Sequence, residues 1–307
     1  SANQSQQSMT SPPIKVWILT FAIALLSLIF SKEYFTHLEN EYFDLQLRNT
    51  FKKKKSVSTD PIRIVLIGSS LIHQGLNDAE EIEENLKERY NAEFSIVKIY
   101  RRGGSVSDFY RNENLANEII AFKPQYLFIQ ESLITFYEEE KFTLGKRIST
   151  RALRELFQKD REKSNIIFPP NDNELQINTG DSLRLEDKIR ETEGSKVVEG
   201  VMKDGLEKFL RRMTKNNIKL VAINIPYPNK LENVMDSLRN SNAYKDLVEW
   251  YKGDFGFDFL DIDIDMPFSY YFDLAHMNPK GEEIYTDWFI DQVGEQVMHF
   301  ASAKNQK

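Results

Sequence analysis

Short apolar runs alternate along this chain with longer stretches in which apolar residues recur at helical spacing. The apolar runs lie at residues 62–67, 94–100, 126–130, 218–225 and 257–262. Helical patterns fill intervening stretches, at residues 78–90, 105–122, 197–216 and 278–300. Short, almost uninterrupted apolar runs are typical of strands that are buried on both faces of a parallel sheet. The pattern therefore predicts repeated β-α-β units and an α/β fold.

We expect a flavodoxin-like three-layer α/β/α sandwich with a mostly parallel five-stranded sheet, preceded by an N-terminal transmembrane helix. In such a fold ligands bind at the carboxyl ends of the strands. The predicted regions are a disordered tail at 1–13, an anchor at 14–31, a juxtamembrane helix and linker at 32–61, the α/β domain at 62–300 and a tail at 301–307, with the linker beginning at Lys52.

The anchor is predicted from an apolar segment. Residues 16–30 carry no charge, and Lys15 and Lys32 flank them. With its neighbours the segment reaches about 17 residues, the short end for a spanning helix. A signal peptide and a buried helix are the alternatives, although no small-x-small cleavage pattern follows.

The basic residues on the two sides of the anchor favour opposite orientations. Lys15 favours a cytoplasmic N-terminus, whereas the basic run 52–55 favours the reverse. That run either is solvated or contacts anionic lipid.

A long charged stretch separates the third apolar run from the fourth. It predicts an insertion at about 138–195 in the α/β domain. An insertion that follows a strand at its carboxyl end would overhang the ligand-binding edge of the sheet. A lid or docking surface is one interpretation, and a solvated helical excursion is the other.

Composition excludes several function classes. The net charge of −7 argues against a nucleic-acid-binding protein, which usually presents a basic face. The absence of cysteine excludes disulfides, thiol catalysis and cysteine-ligated zinc. The four histidines are scattered and form no HExxH motif, so we expect neither a metal nor another cofactor. Asp261, Asp263 and Asp265 lack the glycine and the final glutamate of an EF-hand loop.

Candidate catalytic residues stand at both ends of the α/β pattern. Gly68-Ser69-Ser70-Leu71 follows the first apolar run, and Asp273-Leu274-Ala275-His276 precedes the last helix. A serine at a strand end is a candidate nucleophile, and an Asp three residues before a His can orient the imidazole as a general base. Helix or turn capping by Ser70 and Asp273 is the structural alternative, and His73 is a rival base.

These motifs resemble those of the SGNH/GDSL hydrolase superfamily, specifically its membrane-anchored branch associated with O-acylation of cell-surface polymers. The resemblance covers about residues 62–300. Gly68-Ser69-Ser70-Leu71 stands at the Gly-Asp-Ser-Leu block, Gly104 at the glycine of the second block, and Asp273 with His276 at the Asp-x-x-His block. The Gly-x-Asn-Asp block is replaced by Gln130-Glu131-Ser132-Leu133, which lacks the asparagine.

The resemblance implies a serine acyltransferase or esterase that acts on O-acyl groups of cell-envelope glycans or related polymers. Ser70, His276 and Asp273 would form the catalytic triad. The amides of Ser70 and Gly104 would form the oxyanion hole, with Gln130 or Ser132 as the replacement for the missing asparagine.

The resemblance also implies a setting for the protein. It places the chain in the inner membrane as a single-pass protein, with the catalytic domain on the periplasmic side and no cofactor. A multi-pass membrane protein that passes acyl groups across the bilayer would be the partner. A catalytically inactive scaffold or glycan-binding subunit of a membrane complex is the alternative, which the missing asparagine and the charged insertion favour.

Overall fold

The computed structural model of the protein describes residues 13–55, 61–101, 106–137, 179–260, 262 and 264–304. The chain divides into two compact units, Ser1–Leu45 with Glu140–Pro169 and Gln46–Glu139 with Pro170–Lys307. The described part of the first unit is almost entirely helical. The second unit contains the sheet and the candidate site.

Helices and strands alternate through the second unit as the sequence predicts. The helices are α1 (Ile14–Lys55), α2 (Ser70–Gly75), α3 (Ala79–Tyr90), α4 (Val106–Tyr110), α5 (Glu113–Phe122), α6 (Glu131–Thr135), α7 (Thr179–Glu193), α8 (Gly200–Lys215), α9 (Asn229–Arg239), α10 (Asn242–Phe255) and α11 (Pro279–Lys304). The strands are β1 (Ile62–Gly68), β2 (Phe94–Tyr100), β3 (Tyr126–Gln130), β4 (Phe136–Tyr137), β5 (Lys196–Val197), β6 (Lys219–Ile223) and β7 (Asp258–Leu260).

The main sheet has five strands in the order β2-β1-β3-β6-β7, and every neighbouring pair is parallel. This order reverses direction after β2, so the carboxyl ends of β1 and β3 flank a topological switch point. Right-handed crossovers on the two sides of the reversal place α3 and α5 on opposite faces. The predicted α/β fold with a mostly parallel five-stranded sheet is confirmed.

The apolar core fixes the helix that carries Ser70. Leu71 and Ile72, the two residues after Ser70, are buried in a cluster with Tyr285 and Phe289 of α11. The same cluster contains Ile64 and other β1 side chains. Burial of two consecutive residues determines which way α2 is rotated, and this rotation determines where Ser70 points.

The last turns of α1 pack on the α/β domain. Phe51 is fully buried and meets the ring of Phe122 edge-on, with centroids 5.4 Å apart. Lys53, Lys54 and Lys55 form ion pairs with Glu80, Glu83 and Glu118 respectively. The helix therefore continues past Lys52, where a linker was expected to begin. The lysines stabilise the C-terminal end of the helix and pair with carboxylates of the domain.

No helix in the described part of the chain is both long enough and apolar enough to cross a membrane. The predicted anchor at 14–31 lies within α1, and the side chains of residues 28–31 fall outside the described part. The anchor is therefore not confirmed.

A short antiparallel ribbon marks the base of the predicted insertion. Phe136 of β4 pairs with Val197 of β5, and the Val198 amide donates to the Thr135 carbonyl at 2.9 Å. Residues 138–178, most of the predicted insertion, lie outside the described residues, and α7 packs against α9. The lid and docking interpretations stay predictions.

Candidate active site

Ser70 begins α2 directly beyond the carboxyl end of β1. The preceding residue, Ser69, has an extended backbone, and its Oγ accepts a hydrogen bond from the Leu71 amide at 3.2 Å. Ser69 is therefore the helix cap, and the alternative in which Ser70 serves only as the cap is wrong. Gly68 allows this tight strand-to-helix turn, because a Cβ at Gly68 would lie 2.6 Å from the Ile72 side chain.

Ser70, His276 and Asp273 form a continuous hydrogen-bonded chain. Ser70 Oγ lies 2.9 Å from His276 Nε2, and His276 Nδ1 lies 2.8 Å from Asp273 Oδ2. An ionised carboxylate at Nδ1 favours the tautomer that carries its proton there, so Nε2 is the acceptor for the Ser70 hydroxyl. The structure thus brings together the three side chains that the sequence singled out.

Asp273 is held as a carboxylate. Its Oδ1 accepts the amides of Ala275 and His276, both at 2.8 Å. Burial acts to raise the pKa of Asp273, but hydrogen bonds from the His276 ring and from these amides outweigh it and hold the pKa below its ordinary value. An ionised Asp273 can orient the imidazole and stabilise its cation.

The loop that carries His276 is fixed by its own backbone and by a buried tyrosine. Tyr271 and Met277 form an antiparallel bridge, and the Phe272 amide donates to the His276 carbonyl at 2.8 Å. The Tyr271 hydroxyl, in a side chain that is 1% exposed, donates to the Pro226 carbonyl at 2.9 Å. Tyr271, within the aromatic run 268–272, therefore has a structural role in holding the loop that carries His276.

His73, the alternative general base, packs against Tyr100. Its ring stacks on Tyr100 with centroids 4.0 Å apart and an interplanar angle of 2°. The imidazole that bonds Ser70 belongs to His276.

Gln130 lies beside the turn that carries Ser70. Its Oε1 accepts both the Ser69 amide at 2.8 Å and the Ser69 hydroxyl at 3.0 Å, and its Nε2 donates to Ser132 Oγ at 2.7 Å. Gln130 is 2% exposed. The two predicted replacement donors therefore bind each other, and Gln130 also binds the residue before Ser70. Their role in an oxyanion hole stays a prediction, and Gly104 lies outside the described residues.

Replacing Gln130 by Leu is expected to slow reaction at Ser70 by a factor of about 10 to 100, because a misplaced nucleophile loses its alignment with the base. The measurement is the rate constant for labelling by a fluorophosphonate. Gln125→Leu is the matched control, because Gln125 Oε1 accepts the Arg63 amide at the opposite end of β1. Equal losses in both variants would contradict a specific role for Gln130.

A second polar cluster lies next to Gln130 and was missed by the sequence reasoning. Glu131 Oε2 accepts from Arg239 of α9 at 3.1 Å, and Glu131 Oε1 accepts from the Tyr244 hydroxyl at 2.9 Å. Arg239 also pairs with Glu232 at 2.6 Å. Glu232, Asp236 and Arg239 recur at helical spacing on α9, which is the signal in the sequence that marks a common face.

This ion-pair cluster forms one side of a cavity of about 220 Å³ at the carboxyl ends of β6 and β7. Phe259, Leu260 and Met266 contribute apolar lining. Of the acidic residues considered for a calcium loop, Asp261 and Asp263 lie outside the described residues, and Asp265 Oδ1 accepts from Asn229 Nδ2 at 2.8 Å.

Glu282, in the first turn of α11, gives the protein a titration near neutral pH. Burial raises the pKa of Glu282 to about 7, an effect that Asp78 and Glu81 strengthen and Lys98 opposes. A carboxyl whose folded pKa is raised stabilises the protein below its unfolded pKa, and this stability is lost as the pH rises through the folded value. The free energy of unfolding should therefore fall between roughly pH 4.5 and 7 through this group.

Glu282→Gln is expected to remove this fall, because the amide does not titrate. Urea denaturation at pH 5 and pH 8 measures the difference. Glu283→Gln changes an exposed neighbour and serves as the control. A pH-dependent fall as steep in Glu282→Gln as in the parent protein would contradict the assignment.

Comparisons with known proteins add structural likenesses only. No protein-family profile matches the chain, and no curated protein matches it. The chain is similar to a GDSL-like lipase from Bacteroides thetaiotaomicron, with 9% identity and a TM-score of 0.40 over 83% of this chain and 98% of that one. It is similar to the lipase/acylhydrolase from Enterococcus faecalis, with 12% identity and a TM-score of 0.38 over 76% and 96%.

A third solved structure is a psychrotrophic esterase from a Pseudoalteromonas species, inhibited by monoethylphosphonate. It shares 12% identity and a TM-score of 0.37 over 77% of this chain and 98% of that one. At TM-scores below 0.5 these likenesses to GDSL-type and other lipolytic enzymes assign neither a family nor an activity to this chain.

Proposed function

We propose that the protein is a serine-dependent esterase or acyltransferase in which Ser70, His276 and Asp273 form the catalytic triad. The observation that carries this proposal is the distance of 2.9 Å between Ser70 Oγ and His276 Nε2. The other nitrogen of the same ring, Nδ1, lies 2.8 Å from Asp273 Oδ2. A serine hydroxyl needs a base within hydrogen-bond reach to attack an ester, and this geometry supplies one.

The reaction follows from the positions of these atoms. Ser70 Oγ attacks the acyl carbonyl while His276 Nε2 takes the hydroxyl proton. The bond to the leaving alcohol then breaks, and His276 returns the proton to that alcohol. In the second half, His276 takes a proton from water or from an acceptor alcohol, whose oxygen attacks the carbonyl of the Ser70 ester. The bond between Ser70 Oγ and the acyl group then breaks, and His276 returns the proton to Ser70 Oγ. Asp273 stabilises the imidazolium in both halves.

The oxyanion hole in this proposal includes the backbone amide of Ser70. That amide stands at the first residue of α2, where helix amides have no intrahelical carbonyl partner. The amide of Gly104 is the second donor predicted from the motif. Each preorganised donor of this kind contributes a factor of about 100 to 1000 in rate.

The substrate in this proposal is an O-acyl group of a cell-envelope glycan or related polymer, and a multi-pass membrane protein supplies the acyl group. We propose an inner-membrane anchor in α1, with the catalytic domain on the periplasmic side. The support is the motif pattern together with exposed apolar side chains in α1, including Ile14, Trp17 and Phe21. Flotation with liposomes tests the anchor: the full chain should float, whereas a variant with Trp17→Lys and Phe21→Lys should float less.

Covalent labelling tests the catalytic proposal. The full chain is incubated with a fluorophosphonate, and the labelled peptide is identified by mass spectrometry. Labelling of Ser70 that Ser70→Ala eliminates supports the enzyme. Failure to label the folded parent protein favours the scaffold or glycan-binding alternative, for which the specific observation is that Gln130-Glu131-Ser132-Leu133 lacks the expected asparagine.

A further inference from the structure

The segments that carry Ser70 and His276 meet a second time, behind the active site. Asn77 follows α2 by two residues, and its backbone amide donates to Thr286 Oγ1 at 2.9 Å. Thr286 Oγ1 in turn lies 3.3 Å from Asn77 Oδ1, to which it donates. Thr286 belongs to α11 and is 1% exposed. One buried hydroxyl thus both accepts from and donates to Asn77, which fixes the end of α2 against α11.

Lys98 holds the same stretch from the sheet. It extends from β2, and its Nζ donates to the carbonyls of Leu76 at 2.7 Å and Asn77 at 2.9 Å. These carbonyls follow the C-terminal end of α2, where backbone acceptors lack intrahelical partners and a cation is favourable. The carboxylates of Asp78 and Glu282 act on the Lys98 ammonium electrostatically. The ammonium therefore connects β2 to the end of the nucleophile helix.

Apolar side chains from the segment that carries His276 and from α11 lie close to the end of α2. A Cβ built on Gly75, the last residue of α2, would lie 3.7 Å from Met277 Sδ and 3.7 Å from Tyr285 Cδ1. Met277 directly follows His276 in sequence and is 2% exposed. The residue after the catalytic histidine thus packs near the end of the helix that starts with the catalytic serine.

We infer that Lys98 and the Asn77–Thr286 pair form a positioning clamp that sets the distance between Ser70 Oγ and His276 Nε2. This inference rests on the proposed function of the Ser70 site. The helix α2 has six residues and is therefore about 9 Å long. A helix this short moves as a rigid piece, so a shift at its clamped end displaces Ser70 at the other end. None of the three clamp residues is part of the triad; they act through it.

Thr286→Val tests the clamp by removing the hydroxyl while nearly keeping the shape. The rate constant for fluorophosphonate labelling should fall about 10- to 100-fold, the scale expected for a misplacement of about 1 Å. With an ester substrate, kcat should fall while KM changes little, because the clamp does not touch the substrate. Thr286→Ser keeps the hydroxyl and should restore most of the rate.

Matched controls separate positioning from general destabilisation. Thr214→Val removes a hydroxyl that donates to the Arg211 carbonyl in α8, away from the clamp. Lys98→Met removes the ammonium group of the clamp. Its control is Lys53→Met, which removes an exposed lysine paired with Glu80. Each pair is compared at equal folded fraction, as measured by circular dichroism. A loss in Thr214→Val equal to that in Thr286→Val would overturn the clamp.

A second measurement does not require catalysis. The chain contains no cysteine, so Ser70→Cys introduces a single thiol. A thiol next to an imidazole ionises below the value of about 8.5 of a free thiol. The pH midpoint of iodoacetamide alkylation should therefore lie below that value. Thr286→Val or Lys98→Met, combined with Ser70→Cys, should move the midpoint back towards it.

Fluorophosphonate labelling of the parent protein tests the proposed function, and the alkylation midpoints of the Ser70→Cys variants test the clamp independently. A parent protein that is not labelled by the fluorophosphonate ends the proposed function, and the thiol midpoints still decide whether the clamp positions residue 70. Unchanged midpoints in both folded clamp variants would overturn the clamp. Where Thr286→Val does not fold, Asn77→Ala replaces it at a half-buried position. This change removes the Oδ1 acceptor for Thr286 and the Nδ2 donor to Glu81 Oε1, and it keeps the backbone amide that donates to Thr286.

Discussion

Ser70→Ala is expected to eliminate fluorophosphonate labelling and to lower ester turnover by a factor of about 10⁴ to 10⁶. The reason is that the variant lacks the atom that forms the covalent bond, while the pocket and any oxyanion donors stay in place. Turnover of a short-chain p-nitrophenyl ester, measured with protein that retains the parent circular dichroism spectrum, gives the factor.

His276→Ala should produce a loss of similar size, because members of a triad act as a unit and their effects do not add. Asp273→Asn should cost about 10⁴-fold, since the amide no longer holds the proton of the imidazole on Nδ1. His73→Gln is the control, because this ring stacks on Tyr100 whereas His276 bonds Ser70. If turnover survives in His276→Ala and disappears in His73→Gln, the general base is His73 and the assignment of His276 is wrong.

The strands could be predicted from the sequence because a parallel sheet buries both faces of each strand. The runs at 94–100 and 126–130 coincide with β2 and β3. The predicted fourth strand, 218–225, is longer than β6, which ends at Ile223. The reason lies in long-range hydrogen bonds. The Tyr285 hydroxyl donates to the Asn224 carbonyl at 2.6 Å, and the Tyr271 hydroxyl donates to the Pro226 carbonyl. Side chains far along the chain thus draw this backbone away from strand pairing.

The meeting of Ser70 with His276 could also be anticipated, because topology places the ends of parallel strands at one edge. The contacts of Gln130 could not be anticipated in the same way. Its position at the end of β3 follows from the apolar run before it, but the direction of its amide depends on Ser69, 61 residues away. The spacing of residues in the sequence therefore predicted where the candidate site lies, but it did not predict the hydrogen-bond partners of its polar side chains.

The ion pairs of α9 show the same limit. The spacing of Glu232, Asp236 and Arg239 predicts a common helix face. It does not show that this face meets Glu131, which is 108 residues from Arg239. Both carboxylate oxygens of Glu131 accept hydrogen bonds, one from Arg239 and the other from Tyr244. The guanidinium of Arg239 therefore balances the negative charge of Glu131 beside the candidate active site.

Arg239→Leu is therefore expected to destabilise the protein by about 3 to 5 kcal/mol, because it leaves a buried carboxylate without its cation. The Glu131 side chain is 4% exposed and that of Arg239 is 16% exposed. Burial acts to lower the pKa of Arg239, but the charges of Glu131 and Glu232 outweigh it and raise the pKa above its ordinary value, so the guanidinium is charged throughout. Urea denaturation at pH 7 measures the change in the free energy of unfolding.

Two further variants identify the cause of that loss. Arg211→Leu removes an arginine whose side chain is 48% exposed and that pairs with Glu207, so it should cost no more than about 1 kcal/mol. Adding Glu131→Gln to Arg239→Leu should recover part of the stability, because the neutral amide no longer needs a cation, and Tyr244 can still donate to its oxygen. If the double variant is no more stable than Arg239→Leu, the uncompensated charge of Glu131 is not the cause. The loss would then come from the contacts of Arg239 with Glu232 and Asn224.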